Sequence, residues 1–456
     1  MAHSRNIRTT PVVEGSMTDA RELAYQPRRA WTITGLLFVF FLINWGDKAV
    51  LGLTAAPMMR ELGLSPAQYG LAASAIYFLF SVSGAFGGFL ANRIRTTWLI
   101  TGMALIWSLT QLPMVFSAGF GVLVACRVVL GAAEGPAAPV ALHGLMKWFP
   151  DTKRNMPNSV FLVGASIGVV VAAPGLAWVA ETFGWRWAFG VMGIVGLVWA
   201  VIWWIVGGEG PFTGAQPAQP SRRDAAVEGG IRVSYRRIFT SGTWLGATIG
   251  AFAVYWGIAI AVTWLPVYLE QGLGYSTLAA GNAVALTALV GAVALFGQGL
   301  LSQVLMARGV SSRWARGGVG GGAAVLAALI LLVGLQVGGG WHLVLLAVGL
   351  QLGVAITAAG PPAIGEIVPV AQRGGALGMH VALQTTAGIA APYVTGRIVS
   401  AVDDPLAGFH TAFAVAAGVI LVGGAIALLL MRPQRDAARL GIRLPTPTVV
   451  PPQRNS

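Results

Sequence analysis

Hydrophobic residues in this chain occur in long, nearly unbroken runs, and polar residues collect in the short gaps between them. A helix needs roughly 20 apolar residues to cross the hydrocarbon core of a membrane. Twelve runs meet that length: 31–53, 68–91, 98–117, 120–142, 158–180, 187–207, 243–269, 277–306, 315–336, 341–364, 375–399 and 409–431. They are called spans 1 to 12 in that order. In lipid every backbone N–H and C=O must be paired within the protein, so such runs are predicted to be helices. The period-two alternation of a membrane β-barrel is absent. The pattern therefore predicts an all-α integral membrane protein.

Charge sets the orientation. With the N-terminus inside, the positive-inside rule is satisfied by Arg5, Arg8, Arg21, Arg28 and Arg29 in the first tail. The inner loops add Arg93, Arg95, Lys147, Lys153, Arg154, Arg308, Arg313, Arg316 and Arg373. The central stretch adds Arg222, Arg223, Arg232, Arg236 and Arg237, and the last tail Arg432, Arg435, Arg439, Arg443 and Arg454. The opposite side carries only Arg60, Arg186 and Arg397. The net charge of +13 thus reflects topology, and no nucleic acid is expected as a partner. Residues 1–30 are polar and precede a full-length span at Trp31, so no cleavable signal is expected.

Composition agrees. The chain is 56% hydrophobic and 10% charged, against roughly a quarter charged in a soluble domain. One cysteine, Cys126, excludes an internal disulfide. No phosphate-cradling glycine loop with its Lys and Ser/Thr is present, no metal-ligand spacing and no nucleophile cluster. No enzyme, no metal and no cofactor are expected.

The polar stretch 208–241 divides the spans six and six. It reads as a linker with one short basic surface helix. The predicted organisation is a tail at 1–29, a bundle at 30–207, the linker, a second bundle at 242–431 and a tail at 432–456. The bundles repeat one another. Pro150-x3-Arg154 and Ala172-Ala173-Pro174 recur as Pro369-x3-Arg373 and Ala390-Ala391-Pro392. Ser65-x4-Gly70 and Phe86-Gly87 recur as Ser276-x4-Gly281 and Phe296-Gly297, and Gly184-Trp185-x2-Ala188-Phe189 as Gly408-Phe409-x2-Ala412-Phe413. Equivalent positions lie six spans apart, so the repeats are parallel, related by an axis along the membrane normal. That arrangement places a cavity between two bundles that rock.

With these residues in view the chain resembles the major facilitator superfamily, and within it the anion:cation symporter family. The resemblance rests on Asn44-x2-Asp47-Lys48, Gly87-Gly88-x3-Asn92-Arg93 and Arg127-x2-Leu130-Gly131-x2-Glu134-Gly135-x3-Pro139. Trp148-Phe149-Pro150-x3-Arg154 and Gly184-Trp185-Arg186-Trp187-Ala188-Phe189 complete it. It implies the major facilitator fold, Asp47 and Glu134 as proton carriers, and Lys48 and Arg127 as positive groups of the cavity. The chain departs from the family pattern at Lys48, where Arg is usual, at Asn92, where Asp is usual, and at His143, where Asn is common. Lys keeps the charge but loses the planar fork that grips a carboxylate at two points.

Charge inside a membrane is costly and points to function. Asp47, Lys48, Arg127 and Glu134 are the clear cases, all in the first half. Arg127 and Glu134 are two turns apart on one face, about 10 Å along the axis, so each is expected to meet span 1 as well. Asp47 and Lys48 diverge by about 100°, so one faces the cavity and the other a neighbouring helix. Burial opposes ionisation of Glu134 while a nearby cation favours it. Protonation of Glu134 would therefore free Arg127 or Lys48 for a substrate carboxylate. A structural charge network locking spans 1 and 4 is the alternative.

Further substrate candidates are Tyr77, Asn44, Trp45, Gln384 and His380. Trp264, Tyr268, Asn282, Gln298 and Gln351 are polar or amphipathic positions of the second half. His380 and Gln384, four apart, share a face. Gly360-Pro361-Pro362 reads as a break in span 10. The reading is a proton-coupled symporter of a small organic anion, a sugar acid or another carboxylate. The setting is the bacterial-type inner membrane, as a monomer with both termini cytoplasmic. The rivals are an efflux carrier or exchanger and a non-transporting membrane sensor. A sensor would be expected to carry a soluble signalling domain, and none is read here.

Overall fold

A computed structural model describes residues 25–91, 93–116, 119–150, 153–212 and 232–442. The tail arginines Arg5, Arg8, Arg21, Arg443 and Arg454, the linker pair Arg222 and Arg223, and Asn92 lie outside them. Ten helices among the described residues are long and apolar enough to cross a membrane. The two other spans are Pro66–Ala91 and Arg373–Ser400, the latter interrupted at Thr386. The fold is that of twelve spans in two six-helix bundles, with the first and last described residues, 25 and 442, on one face, called here the terminal face. The linker does contain a short basic helix, Tyr235–Phe239.

The packing repeats as the sequence does. Span 1 (Pro27–Leu53) packs on span 5 (Asn155–Phe183), span 2 (Pro66–Ala91) on span 4 (Phe120–Met146, with a turn at Gly135–Pro136), and span 3 (Thr96–Phe116) on span 6 (Trp185–Val206). In the second bundle span 7 (Gly242–Thr263) packs on span 11 and span 8 (Thr277–Ala307) on span 10. Span 9 (Val319–Gly334) packs on span 12 (Pro405–Leu430). Six spans on, each pair of the first bundle becomes a pair of the second. Between the bundles, span 2 meets span 11 and span 5 meets span 8. Those two pairs exchange under the same shift.

Two of the motifs that revealed the repeat, Ser-x4-Gly and Ala-Ala-Pro, lie at this seam, towards the face opposite the termini. A Cβ on Gly70 would fall 2.5 Å from the carbonyl of Pro392, and one on Gly281 would fall 2.9 Å from that of Ala173. Ser-x4-Gly of one bundle thus meets Ala-Ala-Pro of the other, twice. Helix starts leave backbone N–H groups without helical partners, and both bundles cap them across the seam. Ala67 N donates to Ser400 Oγ at 2.9 Å, and Leu278 N donates to Glu181 Oε2 at 3.0 Å. Tyr69 Oη to Thr263 O (2.7 Å) and Trp264 Nε1 to Pro392 O (2.9 Å) close the same face. Towards the terminal face the halves part below the contact of Ser81 Oγ with Thr385 Oγ1 (2.7 Å). There a cavity of ≈ 570 Å³ lies between Gly84, Ala138 and Leu142 on one side and Gly374, Leu377 and Gly378 on the other.

Span 10 corrects one expectation. Its helix runs through Pro361 and Pro362, as Ala355–Ile367. The interruption comes earlier, as a tight turn over Leu352–Val354 following Gly340–Gln351. Packing on neighbouring spans keeps a proline-containing membrane helix intact.

Candidate functional site

Two buried networks share the centre of the first bundle. Lys48 Nζ lies 2.5 Å from Glu134 Oε2 and donates to Asn44 Oδ1 at 2.9 Å. Asn44 is one turn earlier on span 1, so the helix itself aims it at the ammonium. Lys48 is 7% and Glu134 1% exposed, so the attraction is little screened. Asp47, next along the chain, turns towards span 3 and accepts from Gln111 Nε2 at 2.9 Å. Arg127 lies over the Phe189 ring at 5.6 Å and reaches the backbone carbonyl of Asp47 at 3.5 Å. The cation paired with Glu134 is Lys48, not Arg127. Arg127 Nη2 and Glu134 Oε1 are buried without a hydrogen-bond partner.

Span 4 can come this close to span 2 because of its glycines. A Cβ on Gly131 would lie 1.7 Å from the carbonyl of Ile76, so any side chain there would force the helices apart. That approach brings Glu134 level with Phe80, whose ring lies 5.4 Å from Lys48 Nζ.

A separate cavity of ≈ 250 Å³ lies at the middle of the bundle interface. Trp45 and Ser166 come from the first half, and Tyr255, Thr287, Gln351, Thr357 and Gln384 from the second. It is smaller than the roughly 300–1,000 Å³ of drug-sized pockets, which suits a small solute. Its polar groups are hydroxyls and amides without formal charge. Trp45 is the shared wall: it lines this cavity, and Lys48 Nζ lies 5.2 Å from its ring. Phe80 belongs to the cavity on the terminal face. The ion pair therefore sits between the two spaces.

The expected residues separate on this map. Trp45 and Gln384 line the central cavity, and Gln384 Oε1 has no hydrogen-bond partner. Tyr77 stands edge-on to Tyr255 with ring centroids 6.0 Å apart. Asn44, Lys48 and Arg127 lie behind that layer. His380 does not accompany Gln384: it is buried, with Nδ1 3.0 Å from Thr248 Oγ1, and packs towards Gly360. Residues four apart share a face only approximately, and here spans 7 and 10 cover one of them.

Of the other candidates, Gln351 lines the cavity and Asn282 is exposed. Trp264 belongs to the seam. Gln298 bonds Ser302 at 2.8 Å. Tyr268 bonds His342 at 2.7 Å and His410 at 3.2 Å. Sequence reasoning passed over Gln111, Tyr255, Thr287, Ser166 and Thr357. Gln111 carried a signal, as the one amide of span 3, at the end of the short polar patch Ser108-Leu109-Thr110-Gln111. The hydroxyls carried none, because Ser and Thr satisfy themselves in helices, as Thr287 does on Val284 O.

Comparison with known proteins adds to this geometry. A family model described as the Major Facilitator Superfamily matches residues 36–363. The chain is 27% identical over 307 residues to the D-galactonate transporter of Escherichia coli O6:H1, covering 63% of this chain and 70% of that protein. It is 26% identical over 412 residues to the hexuronate transporter of Bacillus subtilis, covering 87% and 94%. Among solved structures, a bacterial homologue of the human lysosomal transporter Spinster, inward-facing and occupied, is similar with a TM-score of 0.75. Its identity is 18%, over 92% of this chain and 100% of that one, and the likeness is one of fold.

Proposed function

The chain belongs to the Major Facilitator Superfamily and is a transporter rather than an enzyme, and we propose that it carries a small organic anion of the sugar-acid class together with protons. The observation that carries this reading is the buried Lys48–Glu134 pair behind a small cavity lined by uncharged polar groups. Fully ionised, Asp47, Lys48, Arg127 and Glu134 sum to zero. Adding an anion would leave an excess negative charge where charge is poorly solvated. Taking up a proton with the anion restores the balance.

The sequence of events follows. A proton on Glu134 removes the partner of Lys48, and the ammonium, steadied by Asn44 Oδ1, turns to the substrate carboxylate. Gln351, Gln384, Thr287 and Thr357 hydrogen-bond the substrate's hydroxyls. The bundles rock about the seam. Loss of the proton on the other side lets Glu134 reclaim Lys48, and the anion leaves. On this reading the terminal face is cytoplasmic, the membrane is the cell inner membrane, the protein works as a monomer and the state described opens inward. The sugar-acid names of the D-galactonate and hexuronate transporters support the substrate class.

The test is uptake into proteoliposomes of labelled D-galactonate, a hexuronate and a panel of other carboxylates, with and without an inward proton gradient. Gradient-driven accumulation of one of them is expected. Uptake indifferent to the gradient overturns proton coupling, and transport of neutral sugars alone overturns the anion.

A further inference from the structure

The two buried carboxyls at the centre of the first bundle have unlike partners. Glu134 meets a cation, Lys48, at 2.5 Å. Asp47 meets a neutral amide, Gln111, at 2.9 Å. Asp47 is 1% and Gln111 2% exposed, so water does not compete for this bond. Gln111 comes from span 3, which has no charged residue of its own. Its place is set by the close packing of span 6: a Cβ on Gly193 would lie 3.3 Å from Ser108 O and 3.4 Å from Gln111 Cβ.

We infer that Gln111 is a positioning residue for proton exchange at Asp47, serving both protonation states of that carboxyl. This rests on the expectation, drawn from the family resemblance, that Asp47 as well as Glu134 carries a proton. A primary amide holds two donors and an acceptor on one rotor. Its NH₂ donates to Asp47 Oδ1 when the carboxyl is ionised. A half-turn of the amide offers Oε1 to the carboxylic O–H when the proton is bound. Neither state leaves the carboxyl's polar atom facing an apolar wall. A cation at this position would hold Asp47 ionised, and an apolar side chain would favour the acid.

The bond to the carboxylate is the stronger of the two, being charge-assisted, so the amide adds to what Lys48 from span 1 and Arg127 and Glu134 from span 4 do at Asp47 and does not replace them. Spans 5 and 6 meet this stretch with Ala172 and Met192, at Gly46. Arg127 contacts the Asp47 backbone carbonyl, at 3.5 Å.

The test is an infrared pH titration of the full chain in lipid nanodiscs. The protonated-carboxyl band that disappears in Asp47→Asn reports Asp47. Gln111→Met, of equal length without hydrogen bonds, is expected to raise its midpoint by about 1 pH unit. Gln111→Asn is expected to raise it less. An unmoved midpoint in Gln111→Met overturns the inference. If that variant does not fold, Gln111→Glu replaces it: the second carboxyl holds a shared proton to higher pH, and an unmoved midpoint again overturns the inference.

The second arm is gradient-driven uptake of labelled D-galactonate, or of the best substrate of the panel, against external pH. Gln111→Met is expected to displace the profile to higher pH at unchanged KM. A moved infrared midpoint with an unmoved transport profile overturns Asp47 as a carrier while leaving its bond to Gln111 in place.

Discussion

The two bundles share a helix-pairing scheme and meet at a seam built twice over, yet their interiors differ. Spans 1 and 4 bring four charges into the middle of the first bundle. At the corresponding depth the second bundle offers Gln351, Gln384, Thr287 and Tyr255. A duplicated architecture therefore need not divide the work evenly. Rocking requires only that the two surfaces match, and the seam glycines provide that. Charge compensation needs to be done once, and a second set of buried ions would add desolvation cost without adding coupling. The first bundle fits the role of proton balance, and the second that of substrate shape.

The sharpest way to break this division is at Glu134. Glu134→Gln leaves Lys48 buried without a counter-charge, a change of about 3–5 kcal/mol for a broken buried pair. Gradient-driven accumulation in proteoliposomes is expected to fall on the order of 100-fold, while exchange of substrate across the membrane survives. Wild-type accumulation in this variant would remove Glu134 from the mechanism.

The seam comes next. Gly70→Val and Gly281→Val each place a side chain against a carbonyl, an overpacking cost of about 1–3 kcal/mol. Each is expected to lower the population of the state closed at the far face by about tenfold, read as labelling of a cysteine introduced beside Tyr69. Similar effects at both positions support the two-fold seam, and an effect at one alone refutes it.

In the second bundle, Gln384→Leu removes an uncharged hydrogen-bonding group worth about 1 kcal/mol. KM is expected to rise about fivefold, with the proton dependence of uptake unchanged. Altered coupling in that variant would erase the proposed division of labour.

The smallest expected effect lies at the terminal face. Glu209, just beyond span 6, accepts from Thr96 Oγ1 (2.7 Å) and Thr97 N (3.0 Å) at the start of span 3, and pairs with Lys147 at 2.5 Å. Partial burial pushes its carboxyl up, but the bonds from Lys147, Thr96 and Thr97 outweigh it and hold the pKa at about 2. A depressed pKa stabilises the fold above the ordinary carboxylate value, and that gain disappears as pH falls towards 2. The melting temperature of the parent should therefore drop more steeply than that of Glu209→Gln between about pH 4.5 and pH 2. Parallel curves would show that this clasp does not hold the fold.

Much of the molecule was legible in the sequence. Span number followed from run length, and the seam motifs from the repeat, because Ser-x4-Gly and Ala-Ala-Pro recur where backbones touch. The four intramembrane charges stood out because lipid makes them costly. Their pairing did not. Arg127 and Glu134 share a helix face, which invites pairing them, whereas the bond runs between helices from Lys48. Which charge faces which depends on how spans 1, 3 and 4 are turned towards one another, and that is set by close approaches between helices, Gly168 of span 5 on the Leu42 carbonyl of span 1 and Gly131 of span 4 on the Ile76 carbonyl of span 2, rather than by spacing along one helix. Gln384 and His380 were separated for the same reason, since neighbouring spans decide which of two residues on one face stays open.

The crossed caps at the far face have a further consequence. While the seam is shut, Ser400 and Glu181 occupy the starts of spans 2 and 8. Each helix start carries the equivalent of about half a positive charge. Parting the bundles removes both cross-seam caps together, on opposite lips of the mouth, and leaves the local caps of Ser65 and Ser276. The open vestibule would then have unlike lips: on the second bundle the uncovered start of span 8, a positive dipole end, and on the first the Glu181 carboxylate that has left it, whose full charge outweighs the dipole end of span 2.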